Sequence, residues 1–151
     1  MSIPQWSDHF KVGIEEIDFQ HKRIFDTLLM LEEGIRMNQE NSILEQILVD
    51  LEEYAREHFM TEELSFDKFH YPEAESHRRA HQRFIDVIQL FRALMENNKL
   101  NALSVSEYMK SWIYQHVLIM DMQFKVYLEK QFGGGLHASG AATEAKPEHA
   151  H

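Results

Sequence analysis

Apolar residues fall at three- and four-residue steps in four separate stretches, the spacing that lines one face of an α-helix. The first stretch starts at Asp18, a candidate N-cap, runs through His21, Ile24, Phe25, Leu28, Leu31 and Ile35, and fades near Met37 to Gln39. A second follows the capping-box pattern of Ser42 and Glu45, with Leu44, Ile47, Leu48, Leu51, Tyr54 and Ala55 leading into His58, Glu62 and Phe66. Pro72 suits the first turn of a third helix, whose stripe is His77, His81, Phe84, Ile85, Ile88, Phe91 and Met95, and Asn97 and Asn98 should end it. Ser104 and Glu107 repeat the capping-box pattern before Val105, Tyr108, Met109, Trp112, Ile113, His116, Val117, Met120, Phe124 and Leu128. Four helices of similar length with short connections predict an all-α, up-down-up-down four-helix bundle. Met1 to about Ile17, with Pro4, Gly13 and the scattered Trp6, Phe10 and Val12, reads as an arm packed on the bundle. After Phe132 the chain turns to Gly133-Gly134-Gly135 and a small, polar stretch, so the expected organisation is one domain over 1–132 and a disordered tail over 133–151.

The helical stripes are broken at matching places by polar side chains. His21, His58 with Glu62, His77 with His81, and His116 with Asp121 occupy positions that core residues should fill. A single His-x-x-x-Glu or His-x-x-x-His is usually a surface pair, but three pairs and an upstream histidine, one set on each helix, point to a metal site. Burying one unpaired polar side chain costs roughly 2 to 7 kcal/mol, so seven on core faces call for a compensating cation cluster. Residues four apart share a helix face, and the pairs on the second and third helices could therefore each aim two ligands at one point. His116 and Asp121 are five apart, which leaves them about 140° out of line on an ideal helix. A π-bulge across the apolar run Val117 to Met120 would bring both inward.

If two octahedral ions are held and both carboxylates bridge them, the donors can be counted against the available positions. Five imidazoles, four carboxylate oxygens and a bridging solvent oxygen give about eleven bonds against about twelve for two octahedral ions, which leaves one position for a small ligand. Imidazole with carboxylate suits iron better than magnesium or calcium, although zinc, manganese, copper and cobalt share the same donors.

Composition narrows the alternatives. The 151 residues, 44% of them apolar and 11% aromatic, suit one compact domain with its own core. With no cysteine, disulfides, thiolate zinc, iron–sulfur clusters and cysteine nucleophiles are excluded. The formal charge of -10, with no local cluster of Lys and Arg, disfavours nucleic acid and anionic membrane partners. No secretory or bilayer-length apolar segment is evident, so the cytoplasm is the expected location. His9 and His70 lie off the stripes and read as surface or loop histidines. His137, His149 and His151 belong to the solvated tail, and Glu15-Glu16 and Glu52-Glu53 to a solvated acidic face.

The ordered series Val12-Gly13-Ile14, Ile17-Asp18, Gln20-His21-Lys22, His58-Phe59, Glu62-Glu63, Tyr71-Pro72, His77 with His81, and Trp112, His116 and Asp121 resembles hemerythrin in its single-domain bacterial form. The likeness covers about residues 6 to 130, and every ligand position is filled. It implies a four-helix bundle whose non-haem di-iron centre binds O2 reversibly. By the same resemblance, His77, His81 and His116 hold one iron and His21 and His58 the other, while Glu62, Asp121 and an oxo or hydroxo group bridge them. Ile24, Phe59, Trp112, Ile113 and Val117 would then surround the O2 pocket, an apolar wall that keeps out water and protons.

Three functions compete on this basis. An oxygen transport, storage or delivery protein, not an enzyme, is favoured because the ligands are mostly neutral histidines. An oxygen-consuming enzyme would be the recipient of delivered O2, and a monomer is expected. A di-iron oxidase, peroxidase or nitric oxide handling enzyme is the second reading. The Glu-x-x-His pairs that mark oxygen-activating ferritin-like sites are missing from the four helices. An oxygen or iron sensor module is the third, and the short polar tail offers it no output domain.

Overall fold

A computed structural model describes residues 5–132. It consists of helices α1 (Glu15–Arg36), α2 (Glu40–Phe69) and α3 (Ala74–Glu96), then a fourth rod. That rod is α4 (Ala102–Trp112), a π-helical segment (Ile113–Met120) and α5 (Asp121–Phe132) in continuous succession. Short turns reverse the chain between rods, which gives an up-down-up-down four-helix bundle with no strand among the described residues. No helix among those residues is long and apolar enough to cross a membrane. The tail expected to be disordered, with His137, His149 and His151, lies outside the described residues, as do the first four residues.

The first three helices end in one way. Asn38, His70 and Asn98 take left-handed backbone with φ of 55–57°, and the next residue bonds back five positions, Gln39 to Gly34, Tyr71 to Phe66 and Lys99 to Leu94. This satisfies carbonyls that a helix end otherwise leaves without a donor, and Asn tolerates the conformation better than most side chains. The exposed His70 is thus the residue that closes α2.

The helix starts differ from the sequence expectation. Asp18 does not cap α1, which begins at Glu15. The Asp18 carboxylate sits inside the first turns and accepts from Val12 N–H at 2.7 Å and Gly13 N–H at 3.3 Å, tying the arm to the helix. Neither capping box forms. Ser42 Oγ donates to the Gln39 carbonyl because α2 has already begun at Glu40. Asn101 caps α4, its side-chain oxygen accepting from Leu103 and Ser104 N–H, which places Ser104 inside the helix. Pro72 lies in the turn before α3, which begins at Ala74.

The arm packs as expected, with Trp6 edge-on to Phe25 at 5.5 Å and Phe10 stacked over Phe25. The acidic face is less solvated than expected. Glu52 forms a two-pronged pair with Arg92, at 2.8 and 3.0 Å, that ties α2 to α3.

The core divides into two apolar clusters. The larger includes Ile24, Leu28, Leu48, Leu51, Tyr54, Phe59, Phe84, Met109, Trp112, Ile113 and Val117, and the smaller Val12, Ile17, Phe66, Phe69, Tyr71, Phe124 and Leu128. Along each of the four rods, the break between them is the break in the apolar stripe.

Candidate metal centre

That break is filled by seven polar side chains forming one layer across the bundle. His21 comes from α1, His58 and Glu62 from α2, His77 and His81 from α3, His116 from the π segment and Asp121 from the start of α5. All are between 0% and 1% exposed. The five-residue step from His116 to Asp121 is accommodated as expected: Asp121 N–H bonds to the His116 carbonyl, the i to i−5 bond of a π-helix, and both side chains point inward.

The donors gather into two groups, each with ligand atoms within 4.8 Å of one another: Glu62, His77, His81 and His116, and His21, His58, Glu62 and Asp121. Glu62 belongs to both, and its Oε1 lies 2.9 Å from His81 Nε2, 3.3 Å from His77 and His116 Nε2 and 3.4 Å from His58 Nε2. Asp121 spans the groups in another way. Its Oδ2 is 2.6 Å from His21 Nε2, while its Oδ1 is 2.9 Å from His77 Nε2 and 3.2 Å from His116 Nε2.

Burial pushes the imidazoles of His21, His58, His77 and His116 toward the neutral form, and the two carboxylates resist it. Burial prevails at His116, whose pKa falls to about 4, and at His58, which is also lowered. At His77 burial is outweighed by Glu62 and Asp121, which hold the proton up to about 10, and at His21 it is outweighed by Asp121. Burial would raise Glu62, but the surrounding His58, His77 and His116 keep it well below the usual carboxylate range. Asp121 is lowered in the same sense, against burial and the Glu62 charge, by His116 and His21.

The donor set has the character of a cation site. His58 Nε2 and Glu62 Oε2 are buried without a hydrogen-bond partner. His77 and His116 turn their Nε2 atoms toward each other at 3.2 Å, where two lone pairs repel unless a proton or a cation lies between them. Residues of these types, grouped in this way, could hold metal.

Behind the layer stand residues to which the sequence assigned no role. His58 Nδ1 meets Gln20 Oε1 at 3.0 Å, and His81 Nδ1 meets Glu63 Oε2 at 2.7 Å. Tyr54 stacks on His58 at 5.0 Å, and its hydroxyl accepts from Trp112 Nε1 at 3.1 Å. Sequence could have marked Gln20 by periodicity, since it stands three residues after Ile17 and four before Ile24, whereas the signal for Glu63 is its adjacency to Glu62. Trp112 stacks on His116 at 4.0 Å and Phe59 on His81 at 3.9 Å. With Ile24, Ile113 and Val117 they are all buried in the larger apolar cluster. Trp6 of the arm lies edge-on to His21 at 6.5 Å.

Comparison with known proteins agrees with this geometry. The chain is similar to bacteriohemerythrin of Stenotrophomonas maltophilia (strain R551-3), 26% identical over 145 residues that cover 90% of this chain and 94% of that protein. It is also 26% identical to bacteriohemerythrin of Clostridium acetobutylicum, with 79% and 96% of the two chains covered. With myohemerythrin of Sipunculus nudus it shares 27% identity, over 80% of this chain and 89% of the relative. The family model described as the hemerythrin HHE cation binding domain matches residues 12–128, a span that holds all seven clustered donors. A bundle with this buried His and carboxylate layer, matched over that span, belongs to the hemerythrin family, and the chain carries a hemerythrin-type metal-binding domain.

Proposed function

We propose that this chain binds O2 reversibly at a non-haem di-iron centre and serves in oxygen transport, storage or delivery rather than as an enzyme. The observation that carries the reading is the pairing of two donor groups through shared carboxylates, Glu62 in both and Asp121 with one oxygen toward His21 and the other toward His77. In the proposed assignment His77, His81 and His116 would hold one iron and His21 and His58 the other, with Glu62 and Asp121 as ligands shared between the two groups and an oxo or hydroxo ligand from solvent. The relatives' names, bacteriohemerythrin and myohemerythrin, support the same reading. Such a centre, when bound, would supply the reversible electron donation that O2 binding requires.

The chain's own residues would favour release over onward chemistry. Ile24, Phe59, Trp112, Ile113 and Val117, between 0% and 7% exposed, would form an apolar wall that excludes water from the bound ligand. Trp112 has its indole N–H committed to Tyr54, so the wall offers it as a flat apolar face rather than a proton donor. We take residues 1–132 as the functional domain, working as a monomer in the cytoplasm, with an oxygen-consuming enzyme as recipient.

The deciding experiment is elemental analysis together with visible spectra of the reduced protein before oxygen, after oxygen and after its removal. Two irons per chain, one for each donor group, and a charge-transfer band that comes and goes reversibly are expected. Irreversible oxidation would move the assignment to an oxidase, peroxidase or sensor, and absence of iron would refute it.

A further inference from the structure

Two of the clustered histidines carry a partner on the ring nitrogen that points away from the layer, and the partners differ in charge. His81 Nδ1 is backed by the Glu63 carboxylate and His58 Nδ1 by the Gln20 amide. The amide is held from behind. Thr61 Oγ1 donates its one proton to the Glu57 carbonyl at 2.8 Å, so toward Gln20 it can only accept, and Gln20 Nε2 donates to it at 3.1 Å. With its NH2 committed, Gln20 presents Oε1 to the imidazole. The His58 proton must then sit on Nδ1, which leaves Nε2 as a bare lone pair facing the layer, 3.4 Å from Glu62 Oε1 and without a hydrogen bond. Gln20 is 5% exposed, so little water competes for this link.

We propose that Gln20 is a positioning residue: oriented by Thr61, it sets the tautomer of His58 for metal binding, and its neutrality keeps His58 a weaker donor than the carboxylate-backed His81. A carboxylate behind an imidazole raises its basicity and favours the more oxidised metal, whereas an amide orients the ring without adding charge. The two metal positions therefore differ in electron richness through residues that do not touch metal. This rests on the ligand assignment proposed above.

The first test needs no metal. Long-range 15N–1H correlation spectra of the metal-free protein should show the His58 proton on Nδ1, and a proton on Nε2 would overturn the proposal. Thr61→Val, which leaves every clustered donor in place, frees the amide to turn and should give mixed tautomers; an unchanged spectrum removes Thr61 from the relay. The second test uses iron. Gln20→Glu keeps the shape and adds charge, and should shift the Fe(III)/Fe(II) equilibrium roughly tenfold toward Fe(III), a midpoint potential lower by about 59 mV for one electron. A purely structural role for Gln20 predicts no such shift, and an unchanged potential would overturn the proposal. Gln20→Leu should weaken Fe(II) binding roughly tenfold in anaerobic chelator competition, with circular dichroism of the metal-free variant reporting the fold. If the chain takes up no iron, the di-iron reading fails while the tautomer spectra still decide the role of Gln20. If O2 binds and the tautomer is wrong, only the role of Gln20 falls.

Discussion

Glu62 Oε1 lies within 3.4 Å of the Nε2 atoms of four histidines, more than any other single oxygen in the layer. Removing that carboxylate takes away negative charge beside a buried cluster of imidazoles, and it also removes the oxygen the two donor groups share. Glu62→Ala should therefore lower iron content from two per chain to below one, measured by elemental analysis, while Glu62→Gln, which keeps the volume, tells loss of the ligand from loss of packing. Unchanged metal content in the alanine variant would contradict the assignment. The burial of the seven polar side chains was legible at this scale because each interrupts an apolar stripe at a core position, and a polar residue there demands a compensating interaction. Glu63 and Thr61 were not, since a polar residue beside a stripe looks the same whether it faces solvent or the back of an imidazole, and Gln20, although on the stripe between Ile17 and Ile24, shows its partner only in the packed bundle.

Helix existence followed from periodicity, whereas helix starts did not. Ser42 with Glu45 and Ser104 with Glu107 both have the capping-box form, yet Glu40 and Asn101 begin the helices earlier and leave both pairs inside. A capping motif competes with any good cap upstream, and Asn101 is such a cap, its side chain taking the Leu103 and Ser104 N–H groups. Asn101→Ala should cost about 1 kcal/mol and lower the melting temperature by about 4 °C, whereas Ser104→Ala should stay within about 0.5 kcal/mol. Thermal denaturation of the two variants distinguishes these starts, and the reverse order would restore the capping box. The π segment was foreseeable for a different reason. His116 and Asp121 are five apart on a rod whose flanking apolar positions keep their register, and only an inserted residue brings both inward.

For the whole molecule, the polar layer between two apolar clusters couples stability to protons and metal. In the metal-free protein His116, depressed to about 4, stays neutral where the unfolded chain takes a proton, so stability is lost as pH falls from about 6.5 toward 4. His77 acts in the opposite sense. Its proton is held up to about 10, so its contribution is complete below about 6.5 and fades as pH rises through 10. Melting temperatures of the metal-free protein should pass through a maximum near neutrality, and a flat profile would show that the layer is not buried in this charge state. Metal must displace the His77 proton, so Fe(II) affinity in chelator competition should rise with pH across the same alkaline range, while acid should strip the site. Sequence by itself determined the four helices, their order and the seven polar positions that interrupt the core, because periodicity and the cost of burying polar groups are properties of local residue order. Residue order alone left open which of them face one another, a grouping that only the resemblance implied, and the tertiary structure decided their distances and that Gln20 and Glu63 stand behind different histidines. Those relations join residues 18 to 100 positions apart, and pairing at that range is set by how whole helices pack, which no local pattern encodes.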